Sequence, residues 1–150
     1  DGNWFYQSSG TTLQPWRVHT IINSYGKYVV GDSEGPNIGK LAETAQEYVV
    51  DVFSEVKTFI RSQRGAFFKV KSLEVEQLSG VAQTEETVGI SITKDGYSYP
   101  AGFNYKSLGK TGEYRKRVKW QPVGHFEDYC GFKLKTSSPA KTSLDFITFE

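Results

Sequence analysis

The run YCGFKLKT, residues 129–136, carries apolar and charged side chains by turns. Cys130, Phe132 and Leu134 fall on one side, and Lys133 and Lys135 on the other. Successive side chains of a strand point to opposite faces of a sheet, so this segment should bury one face and wet the other. FFKVKSLEVEQL, at 67–78, repeats the pattern, with Leu73 and Val75 set against Glu74 and Glu76. In VGISIT, at 88–93, Val88, Ile90 and Ile92 alternate with Gly89 and Ser91, and a half-buried strand is expected.

Working outward from these, turn chemistry separates one apolar run from the next. Tyr25-Gly26 sits between WRVHTII and KYVV and predicts a hairpin turn. GDSEGPNIG (31–39), RSQRG (61–65), KDGYSYPAG (94–102) and SSPAK (137–141) read as loops or breaks. VVDVFSEVKTFI (49–60) holds a long β-rich run, and TSLDFITFE (142–150) predicts a final strand. The one helical candidate, GKLAETAQEYVVDVF (39–53), has Leu41, Ala45 and Tyr48 at helix-like spacing but no convincing cap. Aromatics reach 15% with fifteen Gly, which also favours an all-β chain. The expected architecture is a C-terminal antiparallel β-sandwich over 66–150, a connecting strand or linker over 46–65, and a separate strand-rich unit over 1–45.

Composition narrows the functions. Hydrophobic residues make 37% and charged residues 23% of the 150, an ordinary folded composition. A net charge of +1 lacks the basic excess expected of a dedicated nucleic-acid binder. The single cysteine, Cys130, cannot close a disulfide within the chain. No apolar run approaches the roughly 20 residues that span a bilayer, and no membrane association is expected. The chain has no Met and opens at DGNWFY, which reads as strand, so a C-terminal piece of a larger protein is expected.

Catalytic groups are scarce. His19 and His125 are the only histidines, and no HExxH or CxxC spacing occurs, so neither a metal nor a cofactor is expected. GHFEDYC (124–130) places His125 near Glu127, Asp128 and Cys130, and reads more simply as a polar turn between strands. GKTGEY (109–114) lacks the spacing of a phosphate loop. Glu85-Glu86 reads as a solvated loop pair. What remains is EYRKRVKWQP (113–122), expected to form a strand with Arg115, Arg117 and Lys119 on one face and Tyr114, Lys116, Val118 and Trp120 on the other. Lys133 and Lys135 would add a second basic row if the two strands paired. Three readings stay open: a solvated outer face, a protein interface and, weakest, a nucleic-acid surface.

The order of motifs from Ser91 to Pro139 resembles the end of the packaged-DNA stabilisation proteins, the tail-hub or head-completion proteins (tail accessory factors) of short-tailed phages. Three stretches carry the resemblance: Ser91–Tyr99, the more specific Leu108–Gly124, and Phe132–Pro139. Upstream, GKYVVGDSEGPNIGKL (26–41) is similar to the family's strand pair with its GD turn. Tyr97 stands where a second Gly is usual and Tyr99 where Trp is usual, so KDGYSY is a degenerate Asp-box. The resemblance implies a longer protein whose N-terminal part is propeller-like, with residues 1–45 as its last strands. It also implies a non-enzymatic virion component, assembled in the bacterial host cytoplasm, that helps close the portal channel and retain packaged DNA. Its implied partners are the portal or adaptor, the plug or needle and the tailspikes, within a homo-oligomeric ring such as a hexamer, with no sequence-specific nucleic-acid contact. Arg115, Arg117, Lys119, Lys133 and Lys135 are then the candidate interface residues. A carbohydrate-binding β-sandwich is the alternative, suggested by the Tyr and Trp content and the Asp-box-like turn. It predicts exposed aromatics on a concave face, where a hub predicts mostly buried ones.

Overall fold

The protein's structure, a computed structural model, describes residues 6–42, 46–47, 50–62, 65–77, 85–114, 116–137 and 144–149. Among these residues there is no α-helix, and the fold is all-β as expected. The helical candidate at 39–53 is strand wherever its residues are both described and regular. Residues 43–45 and 48–49 of it lie outside the described set.

The first unit starts with a short pair, β1 (Ser8–Ser9) and β2 (Gln14–Pro15). A meander follows, made of β3 (Val18–Ser24), β4 (Lys27–Asp32) and β5 (Ile38–Lys40). Its first hairpin turns on Tyr25 and Gly26, whose φ values of 51° and 71° are those of a type I′ turn. The GD loop is organised by Asp32, which accepts from Arg17 Nε at 3.0 Å, Asn37 Nδ2 at 2.9 Å and the Glu34 amide at 3.0 Å. These donors hold the Asp32 carboxyl down at about 2, the Arg17 hydrogen bond contributing most. β6 (Gln46–Glu47) and β7 (Val50–Asp51) form one more pair. Ser9 Oγ donates to Glu47 at 2.7 Å and ties this pair to β1.

The second unit contains β8 (Ser54–Arg61), β9 (Phe67–Val70), β10 (Leu73–Gln77), β11 (Glu86–Thr93), β12 (Asn104–Gly109), β13 (Val118–Trp120), β14 (Gly124–Glu127), β15 (Tyr129–Thr136) and β16 (Leu144–Phe149). A four-stranded antiparallel sheet has the order β12-β11-β15-β8, and a three-stranded one the order β13-β10-β16. β14 pairs with β9 between them. The segments β8-β9-β10 and β13-β14-β15 therefore run against each other as one long antiparallel ribbon that passes from one sheet to the other. The ribbon bends where Asp128, at a φ of 62°, separates β14 from β15. Strands that change sheet through such bends form the corners of β-sandwiches.

Both sheets contribute to one core. Leu73, Val75, Val118 and Trp120 from the three-stranded sheet meet Val88, Ile90, Leu108, Cys130, Phe132 and Leu134 from the four-stranded one. The alternation expected for β10 and β15 is the observed one, with Leu73, Val75, Cys130, Phe132 and Leu134 buried. The sandwich reaches back to residue 54, because β8 pairs with β15 along its whole length. A strand that the sequence placed in the connecting segment 46–65 thus forms an edge of the larger sheet.

Two expectations are corrected here. β11 is not half-buried: Gly89, Ser91 and Thr93 are covered as well as Val88 and Ile90. Loop 94–103 folds back over the outer face, and Ser91 Oγ donates to the Pro100 carbonyl at 3.1 Å. Glu86, read as a solvated loop residue, instead opens β11 and is buried at 8% exposure, while Glu85 is exposed.

Candidate functional site

The outer face of the four-stranded sheet is where the sequence-predicted lysines and the unusual turn come together. Residues paired across antiparallel strands share a face, so Lys133 lies with Ser91 and Lys57, Lys135 with Gly89 and Glu55, and Gly131 with Thr93 and Phe59. Gly89 and Gly131 leave floor space that other residues would fill. A Cβ on Gly131 would come within 2.6 Å of Thr93 Cγ2 and 2.9 Å of the Tyr99 hydroxyl. One on Gly89 would stand 2.7 Å from the Tyr105 ring and 3.0 Å from Phe103 Cβ. Aromatic side chains of the following loop and strand thus approach the sheet closely at its two smallest residues.

The Asp-box-like turn is closed by its own side chains. Thr93 Oγ1 donates to Asp95 Oδ1 at 2.6 Å, and that same oxygen accepts the Tyr97 and Ser98 amides at 2.9 Å each. Thr93 Oγ1 also accepts the Gly96 amide at 3.2 Å. These bonds, led by the Thr93 hydroxyl, lower the Asp95 carboxyl to about 2. The folded value lies below the unfolded one, so the turn's contribution is complete above the ordinary carboxylate range and is lost as pH falls towards about 2. Between those limits the melting temperature of the wild-type chain should fall more steeply with acid than that of Asp95→Asn, as followed by circular dichroism. Parallel curves would show that the Asp95 carboxylate does not organise the turn.

Beside this turn, Phe59 and Tyr129 stack with ring centroids 5.5 Å apart and 18° between planes. Lys133 Nζ sits 4.6 Å over the Tyr99 ring and 3.8 Å from Glu55, whose carboxylate also meets Lys57 at 3.2 Å. Lys135 Nζ lies 3.8 Å over the Phe53 ring. Burial raises the Tyr99 phenol, which stays protonated at neutral pH.

Residues 55–148, which span this sandwich, match the family model described as Bacteriophage P22 Gp10, beta-sandwich. The chain belongs to the P22 Gp10 beta-sandwich family. A relative, the Tail hub protein gp10 of Salmonella phage P22, is 38% identical over 76 residues, covering 47% of this chain and 15% of that protein.

Within this family member, the predicted basic strand is shorter than its alternation suggested. Among its described residues only Val118–Trp120 is strand, and Lys116 and Arg117 lie in the segment leading to it. Val118 and Trp120 are buried, whereas Arg117 is exposed and Lys119 half-exposed, but Tyr114 and Lys116, expected on the face of Val118 and Trp120, are exposed too. Arg115 lies outside the described residues. The second basic row does not join the first, because β13 pairs with β10, while β15 pairs with β11 and β8. Arg117 Nε bonds Glu74 at 2.6 Å, and Lys119 stands directly across from Glu74 in the neighbouring strand. Acids and rings interleave with these cations on both sheets, so they do not build one continuous positive surface.

In the Gp10-family sandwich Cys130, His125 and Asp128 stand in different surroundings. Cys130 is fully buried, and burial pushes its thiol up to about 12. His125 is exposed on β14, and Asp128 pairs with Arg61 at 3.5 Å. Among the described residues no group of His, Cys, Asp and Glu is arranged to hold a metal ion. The aromatics are divided: Trp120, Phe126 and Phe132 are buried, but Phe59, Phe67, Tyr97, Tyr105 and Tyr114 are exposed. That division is not the mostly buried set expected of a hub. Sequence reading missed Phe59, Tyr129 and Lys57 as neighbours of the turn. Their link is the β8–β15 register, and no local motif carries it.

Proposed function

We propose that this chain is a structural, non-enzymatic part of a phage tail hub and acts through protein–protein contact. The observation that carries this reading is the match of its sandwich, residues 55–148, to the P22 Gp10 beta-sandwich family. The separation of the buried Cys130 from the exposed His125 supports a role without turnover. In the virion the hub would help close the portal channel, retain packaged DNA, and bind the portal or adaptor, the plug or needle and the tailspikes. It would do so as a homo-oligomeric ring such as a hexamer. Interleaved acids support contact with protein rather than with nucleic acid.

Residues 1–45 would belong to a larger, propeller-like β domain. The meander supports this, because Ile21, Ile22 and Ile38 of β3 and β5 are exposed at 50%, 63% and 81%. Apolar side chains on both faces of a small sheet call for further strands against them.

The interface assignment is tested with Arg115→Glu, Arg117→Glu and Lys119→Glu together. Arg117 is 78% exposed but its partner Glu74 only 14%, and the reversal also sets a carboxylate across from Glu74 at position 119, so the fold should lose about 1–2 kcal/mol. We expect the triple variant to keep its circular dichroism spectrum while failing to enter tails in infected cells, as scored by immunoblots of purified particles. Normal incorporation would reject these residues as an interface. Duplex-DNA binding that weakens steeply with salt would favour a channel-lining role instead.

A further inference from the structure

A cleft of about 390 Å³ opens on the outer face of the four-stranded sheet, lined by Lys57, Phe59, Tyr97, Tyr99, Tyr129 and Lys133 among others. It lies within the ~300–1,000 Å³ typical of small-molecule sites. We propose that it is a binding site for a neutral saccharide. The inference rests on the sandwich alone and stands or falls independently of the tail-hub reading.

A pyranose presents a flat patch of C–H groups and a rim of hydroxyls that both donate and accept. The cleft offers partners for both. Phe59, backed by its stack on Tyr129, is 60% exposed, and Tyr97 beside it is exposed as well, so aromatic surface is open to a ligand. Aromatic faces carry partial negative charge and attract C–H dipoles. Lining the same cleft are the Lys57 and Lys133 side chains, whose ammonium groups donate, and Tyr97, Tyr99 and Tyr129, whose hydroxyls can donate or accept.

Charge decides between a neutral and an ionic ligand. The two ammonium groups share one carboxylate, Glu55, at 3.2 and 3.8 Å, and an anion would have to compete with it for both. An anionic group would gain little net attraction from such a set, whereas a hydroxyl can bond to either sign. The turn wall is fixed before any ligand arrives, since Asp95 and Thr93 tie the Gly96, Tyr97 and Ser98 amides. Lys133 is placed by a cation–π contact, its ammonium 4.6 Å over the Tyr99 ring. Preorganisation of this kind reduces the ordering cost of binding.

The test is a titration of the whole 15N-labelled chain with maltotriose, cellotriose and mannotriose, followed by amide chemical shifts. At least one should produce saturable shifts at Lys57, Phe59, Gly96, Tyr97, Tyr129 and Lys133, with a Kd of ~0.1–10 mM. Raising the salt from ~0.05 to ~0.5 M should leave that Kd unchanged, because no ionic attraction is involved. Phe59→Ala and Tyr97→Ala should each weaken binding about tenfold or more. Tyr97 is 94% exposed, so its variant tests the site without disturbing the core. The proposal is overturned if none of the sugars gives saturable shifts up to ~50 mM. It is equally overturned if Tyr97→Ala binds as the wild type does. A third contrary result would be hexaglutamate moving these same amides in a salt-sensitive way while the sugars do not.

Discussion

Phe132→Ala should lower the unfolding free energy by ~3–5 kcal/mol, the range for emptying a buried aromatic site. Phe132 is 0% exposed and sits at the middle of β15. That strand is paired on one side with β11 and on the other with β8, so neither neighbour can move in without breaking a ladder. The cavity would stay open, and the cost should fall near the top of the range. Domains of this size are stable by only ~5–15 kcal/mol in total. The variant should therefore show a urea midpoint lower by ~2 M, with an unchanged slope, when unfolding is followed by tryptophan fluorescence. A loss below ~1.5 kcal/mol would mean that the two sheets are not closed on this ring.

Gly131→Val should cost ~2–4 kcal/mol although valine is a better strand residue than glycine. The new Cβ would lie 2.6 Å from Thr93 Cγ2, on the directly paired residue of the adjacent strand. Thr93 is β-branched, and its hydroxyl is committed to Asp95 and Gly96, so it has no free rotamer to retreat into. The Tyr99 hydroxyl, 2.9 Å from the same point, is at the end of a longer side chain and can give way. Gly131→Ala should therefore lose about 1–2 kcal/mol, and Tyr99→Phe in that background should restore part of it. Thermal melts of the three variants make the comparison. A neutral Gly131→Ala would show that Thr93 and Tyr99 do not crowd this position.

Several elements were legible because their signal is local. The period-2 pattern of 129–136 and of Leu73 to Glu76 specified both a strand and its inward face. Tyr25-Gly26 specified a two-residue turn by its place between two β-rich runs and by Gly26, which takes a φ of 71° without strain. The same reasoning overextended the basic strand. Alternation continues through Lys116 and Arg117, but no neighbouring strand pairs with them. It also misjudged β11, where small residues opposite an apolar row read as a solvated face. Small residues suit a covered face as well, and only the returning loop shows that this one is covered.

Composition and alternation alone determined the fold class, the inward residues of β10 and β15, and the poverty of catalytic groups. They could do so because which way a strand side chain points is set by the backbone next to it. The family resemblance was also carried by linear motifs. Which strands adjoin was decided by tertiary structure. Residues 54–61 lie beside 129–136 only through pairing across more than sixty residues. That pairing brings Phe59 onto Tyr129 and Lys57 alongside Lys133, beside a turn contributed by a third strand. Such neighbours are chosen by the packing of the whole sandwich, and no short stretch of the chain records them.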